Sequence, residues 1–162
     1  MEIYVLRHGI AVERGTPGYK KDSDRPLTKE GEEKVEQIAQ AMLAMDLKFD
    51  LILSSPYVRA AKTAKIVASE LDQEVTFTEF LEPDGNGLAL TTLINDEKPQ
   101  RVLLVGHEPN FSELTSRLLT GKERMAINFK KAGLCKLTAE PVASGRATLE
   151  WFLTPKLMEL MG

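Results

Sequence analysis

A chain of 162 residues, 43% of them hydrophobic, holds enough apolar side chain for one ordinary core, and no shift in composition marks a second, so residues 1–162 read as a single domain. The net charge of -3 excludes the broad basic face that holds proteins to nucleic acid, and any anion site must be local. No apolar run reaches the roughly 20 residues of a bilayer span, the Met-Glu start lacks the features of a signal peptide, and the single Cys135 excludes an internal disulfide or a CxxC motif. The expected setting is soluble, reducing and cytoplasmic, away from membranes.

The first apolar run, residues 3–6, has strand length and ends in Arg7-His8-Gly9. Residues 11–27 are rich in charge, Gly and Pro and read as a loop. Thr28 then caps a helix over 29–45, with Val35, Ile38, Ala39, Met42 and Met45 at steps of three and four opposite Glu32, Glu33 and Glu36. A strand over 50–54 runs into Ser55-Pro56, which reads as the capping hydroxyl and first-turn proline of a second helix reaching about Leu71.

A weaker strand lies near 75–78, and a third helix starts at the Asn86-Gly87 turn with Leu90, Leu93 and Ile94 on one side. The strand 102–105 leads into Gly106-His107-Glu108-Pro109, and a fourth helix opens at Pro109 and carries Phe111, Leu114, Leu118 and Leu119. Residues 134–138 and 146–153 flank a turn-rich segment and read as an antiparallel hairpin at a sheet edge, with Cys135 as a small buried hydrophobe. The tail from Lys156 to Gly162 has Leu157, Leu160 and Met161 at helical spacing and is expected to dock on the core. Buried strands alternating with helices predict a three-layer α/β/α sandwich, its sheet mostly parallel with an antiparallel edge.

Both histidines stand where a buried strand gives way to a turn, the end of an α/β sheet at which ligands bind. A neutral imidazole at His8 can attack phosphorus, provided its second nitrogen is held, most simply by a backbone carbonyl of the adjoining turn. Arg7 sets a cation beside it. Arg59, in the first turns of the second helix, adds a guanidinium fork to the positive end of the helix. His107 can donate to an oxygen as charge develops.

Singly, these are ordinary residues: a surface histidine, a helical arginine paired with an acid, a loop histidine. Jointly they point to phosphoryl chemistry. With no GxGxxG or Walker loop, no HExxH and no cysteine cluster, neither a cofactor nor a metal is expected.

Arg7-His8-Gly9, the box Ser55-Pro56-Tyr57-Val58-Arg59-Ala60 with Thr63-Ala64 after it, and Gly106-His107-Glu108-Pro109 resemble the three signatures of the histidine phosphatase superfamily, in order over nearly the whole chain. Arg25-Pro26-Leu27-Thr28 before Gly31, and the short length, are similar to its SixA-type bacterial phosphohistidine phosphatases. The resemblance implies a phosphoglycerate mutase-like fold without a large cap insertion. It also implies that His8 is the nucleophile and that Arg7, Arg59 and His107 bind the phosphoryl group.

Larger members take a leaving-group acid from the segment that here reads Glu79 to Gly85. Glu82 is the candidate acid, with Asp84 and Glu79 behind it and a rim or structural role as the alternative. An imidazole leaves phosphorus more readily than an alkoxide, so the lack of an obvious acid suits phosphohistidine on a signalling or phosphotransfer protein. The short connection from Phe80 to the Leu88 helix implies an open pocket. The loop bearing Glu13, Arg14, Lys20, Lys21, Asp22 and Asp24 either meets that partner or is simply solvated. A phosphatase of small phosphate monoesters and a non-catalytic phosphohistidine-binding module are the alternatives, and a monomer is expected.

Overall fold

The structure, a computed structural model, describes residues 1–122 and 124–162. Its strands are β1 (Glu2–Arg7), β2 (Leu51–Ser54), β3 (Thr76–Phe77), β4 (Arg101–Gly106), β5 (Leu134–Thr138) and β6 (Thr148–Leu153). They form one sheet in the order β3-β2-β4-β1-β5-β6. β3, β2, β4 and β1 pair in parallel, and β5 and β6 complete the sheet antiparallel. The helices are α1 (Lys29–Ala44), α2 (Val58–Glu70), α3 (Gly87–Glu97), α4 (Asn110–Thr120) and the single turn α5 (Pro155–Met158).

The unbroken apolar runs of β1 and β4 follow from burial on both faces. Tyr4, Leu6, Leu103 and Val105 pack with Val35, Ile38 and Met42 of α1 and Ala64 and Val67 of α2. Ile3, Val5, Val102 and Leu104 pack on the other face with Leu90 and Ile94 of α3 and Phe111, Leu114 and Leu118 of α4. These are the three expected layers. Thr28 caps α1 as expected, its Oγ1 accepting from the Gly31 amide at 3.0 Å. Cys135 is buried in the second cluster, and burial pushes its thiol up to about 12, which leaves it unreactive. Among the described residues no helix is long and apolar enough to cross a membrane.

Strand register sets the level of the functional residues. Arg7 pairs with Gly106 and Ser54 with Val105. Just past the strand ends, the His8 amide donates to the Gly106 carbonyl at 3.0 Å and the Ser55 amide to the Val105 carbonyl at 2.9 Å. His8, His107 and Ser55 therefore leave three adjacent strands side by side. Gly106 is required there, because a Cβ would lie 2.7 Å from the Leu81 carbonyl oxygen and 2.9 Å from the Phe111 ring.

Two expectations are corrected. α2 begins at Val58, not at Ser55-Pro56, because Tyr57 is still extended with ψ 135 and postpones the first helical turn. Ser55 is turned inward instead, and its hydroxyl accepts the Tyr57 amide at 3.2 Å. In the tail, Met158 is the residue that docks, fully buried, whereas Leu157, Leu160 and Met161 stay 48%, 80% and 46% exposed. A helix of one turn has only one inward direction, which Met158 takes, and Glu159 just after it pairs with Lys34 of α1 at 3.2 Å.

Candidate active site

His8 is 5% exposed and its protonation pattern follows from its neighbours. The Gly9 carbonyl, which can only accept, lies 2.7 Å from Nδ1, so Nδ1 carries the proton, as the requirement for a backbone acceptor anticipated. Nε2 then bears the lone pair, and the Arg59 Nε–H points at it from 3.3 Å. Burial, with further contributions from His107, Arg59 and Arg7, holds the His8 pKa well below the usual 6.5. The imidazole is neutral and nucleophilic at physiological pH.

Arg59 is buried in the first turn of α2, under the Tyr57 ring at 5.2 Å. Asp22 engages one N–H of each terminal nitrogen, Nη1 donating to its carbonyl at 2.7 Å and Nη2 to Oδ2 at 2.9 Å, and each of these nitrogens carries a second N–H. Asp22 also accepts from Nε and Nη2 of Arg25 at 2.9 and 2.7 Å, and pairs with Arg14 at 3.2 Å. Partial burial opposes ionisation of Asp22, yet the bonds from Arg25 and Arg59 prevail and bring its pKa to about 2. The 11–27 loop is thereby anchored to the site, while its Glu13, Lys20, Lys21 and Asp24 remain exposed. Thr63 Oγ1 accepts from the Gly9 amide at 3.1 Å and donates to the Arg59 carbonyl at 2.8 Å, tying the His8 turn to α2.

The His107 ring lies 4.9 Å from that of His8, centroid to centroid, with Tyr57 packed edge-on against it at 5.1 Å. Its Nε2 meets Ser55 Oγ at 2.8 Å, and its Nδ1 is buried without a hydrogen-bond partner. Burial first, then Arg59, lowers the His107 pKa to about 3. Arg7 donates from Nη1 to the Phe129 carbonyl at 2.5 Å and leaves Nε buried and unpaired. Burial lowers its pKa and Glu108 raises it.

A cavity of about 300 Å³ opens over this group, lined by Arg7, His8, Arg25, Arg59, Glu108 and Lys131 among others. A larger hollow of about 870 Å³ lies between Met1, Asn95 and Arg101 at the other end of the strands but collects no comparable group of cations and histidines. The structure thus brings together His8, Arg7, Arg59 and His107. His107 adjoins the His8 ring but, like Glu82, is not in the cavity lining, and the Glu82 carbonyl is held by Asn110 Nδ2 at 2.7 Å. Burial, then Asp84 and Glu79, raises the Glu82 pKa, and the charges of Glu82 and Asp84 reach Tyr57 at the rim.

Five further residues enter the site: Ser55, Asp22, Arg25, Lys131 and Glu108. The carboxyl of Glu108 accepts from Ser112 Oγ at 2.5 Å, and burial raises its pKa. Its position beside His107 was its sequence signal; Arg25 opened the Arg25-Pro26-Leu27-Thr28 run of the resemblance without a stated role, and Asp22 carried no signal beyond its place in a long loop. Among the described residues no group of His, Cys, Asp and Glu is arranged to hold a metal ion.

Comparison with known proteins bears on the family and the fold. The model of the histidine phosphatase superfamily, branch 1, matches residues 3–82. An uncharacterized protein of Picosynechococcus sp. is 38% identical over 141 residues, covering 85% of this chain and 84% of that one. The phosphohistidine phosphatase SixA of Escherichia coli is 26% identical over 160 residues, covering 96% and 94%. A solved structure of the protein histidine phosphatase SixA complexed with tungstate superposes with a TM-score of 0.83 at 24% identity, covering 96% of this chain and 98% of that one. The fold is therefore that of SixA.

Proposed function

We propose that this chain, which belongs to the histidine phosphatase superfamily, hydrolyses phosphohistidine on a protein through a covalent phospho-His8 intermediate. The observation that carries the reading is the state of His8: Nδ1 is pinned by the Gly9 carbonyl, and Nε2 is left with its lone pair among cations. Likeness to SixA across nearly the full length supports the choice of phosphohistidine.

In the first half-reaction the Nε2 lone pair of His8 attacks phosphorus and the bond from phosphorus to the substrate imidazole breaks. The departing nitrogen takes a proton from solvent at the open mouth. In the second, water attacks the phosphorus, the bond to Nε2 breaks, and inorganic phosphate leaves with His8 neutral again. Arg7, Arg59 and His107 hold the non-bridging oxygens, and such preorganised charge is the main source of rate in phosphoryl transfer. The Gly9 carbonyl keeps the proton on Nδ1 throughout, so the ring does not turn between the two steps.

The test is rapid-quench trapping after mixing with a radiolabelled phosphohistidine transfer domain. An acid-labile label on the wild-type chain, absent from His8→Ala, is expected. Binding without label would make the chain a phosphohistidine-binding module. Faster turnover of a panel of sugar phosphates than of the phosphoprotein would replace the proposed substrate with small esters.

A further inference from the structure

We infer that Ser55 is a positioning residue that fixes His107 as the tautomer with its proton on Nδ1, and so makes Nδ1 the donor offered to the phosphoryl group. The inference deepens the proposed reaction and rests on it for the identity of the acceptor. The tautomer itself follows from counting hydrogens at a buried site. Ser55 is fully buried, and its Oγ already accepts the Tyr57 amide at 3.2 Å. Its hydroxyl hydrogen needs an acceptor, and His107 Nε2 at 2.8 Å is the remaining partner among the described residues. Ser55 therefore donates, Nε2 accepts, and the proton of the neutral ring resides on Nδ1.

The opposite tautomer fails on two counts. It would leave the serine hydrogen unsatisfied in the core, and it would turn the Nδ1 lone pair towards an anion. Nδ1 is buried and has no protein partner, as a group completed by a ligand would be. Ser55 can do this because β2 and β4 are in parallel register: its amide is held by the Val105 carbonyl, one strand position before the turn that carries His107. The Ser-Pro pair that resembled a helix cap thus serves the neighbouring strand end, and the delayed start of α2 is what turns the hydroxyl inward.

The chain has only two histidines, so isotope-labelled imidazole nitrogens give an unambiguous spectrum at neutral pH. Both rings are expected to carry their protons on Nδ1, with the His107 Nδ1–H shifting on addition of inorganic phosphate. Ser55→Ala should move His107 towards the Nε2–H form and weaken phosphate binding roughly tenfold, the worth of one hydrogen bond to a charged group. Ser55→Thr, which keeps the hydroxyl, should restore both.

A wild-type His107 protonated on Nε2 overturns the inference, and this needs no variant to fold. Ser55→Ala with an unchanged tautomer and unchanged phosphate affinity overturns it too. Because the tautomer is read without substrate, an Nδ1–H His107 in a protein inactive on phosphohistidine would uphold the role of Ser55 while refuting the proposed substrate.

Discussion

Asp22 reaches from the 11–27 loop to occupy both terminal nitrogens of Arg59, at 2.7 Å through its carbonyl and 2.9 Å through its carboxylate. The pairing fixes a long flexible side chain with Nε directed at His8 and with one N–H on each terminal nitrogen beyond the one that Asp22 engages. Removing Asp22 leaves a buried guanidinium without its partner. Fully buried pairs broken in this way cost about 3–5 kcal/mol, and the partial exposure of Asp22 reduces the expected loss to about 1–2 kcal/mol. Asp22→Ala should show that loss in urea unfolding, together with at least a tenfold fall in kcat/KM on a phosphohistidine protein. An unaltered kcat/KM would mean that the pair serves the loop alone.

Arg59→Lys separates charge from geometry. The lysine keeps a cation but has no counterpart to the Nε that faces His8, nor a fork for Asp22. Loss of one well-placed donor from such sites lowers rates by about 10²–10³, and that is the expected drop in the single-turnover rate of His8 phosphorylation. A variant within threefold of wild type would show that a point charge suffices.

The two histidines give the protein a defined acid response. Both have pKa values below the usual 6.5, so the native state binds fewer protons than the unfolded chain as pH falls beneath that value. Their stability contribution is complete above about pH 6.5 and is lost on acidification, for His107 down to about pH 3. The slope is roughly 1.4 kcal/mol per pH unit for each buried ring. Asp22 adds a further loss between its usual 3.8 and about 2. Neither imidazole resonance should titrate between about pH 8 and 6. A midpoint near 6.5 for either ring would show that it is solvated.

What the sequence disclosed and what it withheld divide along a physical line. Arg7, His8, Arg59 and His107 were legible because each is fixed by a strand end or a first helical turn, and strands and helices announce themselves by periodicity. The parallel order β2-β4-β1 then does the rest, since it brings the three motifs to one level. Arg25 was visible as part of a family-like run, but its pairing with Asp22, and that of Asp22 with Arg59, were illegible because the path of a non-periodic loop sets them. Ser55 was misread for a different reason: Ser-Pro before a helical pattern is a sound capping signal, and only the extended Tyr57 and the nearness of β4 redirect it. Met158 shows the same limit on a small scale. Spacing alone identified an apolar tail, but a helix of one turn buries a single side chain, and spacing does not say that it is Met158.

Glu108 sets the last test, because of the two carboxyls that line the cavity with His8, Glu13 and Glu108, it is the half-buried one. Its Oε1 is buried without a partner, and Arg7 is the cation that offsets its charge. A carboxylate facing a phosphate site opposes the anion through a medium less polarisable than water. Glu108→Gln removes the charge and keeps an oxygen to accept from Ser112. Affinity for inorganic phosphate, measured by calorimetry at low salt, should therefore rise by roughly two- to tenfold, an effect of about 0.4–1.4 kcal/mol. Added salt should shrink the gain, as screening requires. Glu82→Gln serves as the comparison and should change the affinity less than twofold. The assignment of Glu108 to the cavity fails if the two substitutions have equal effects, or if Glu82→Gln has the larger one.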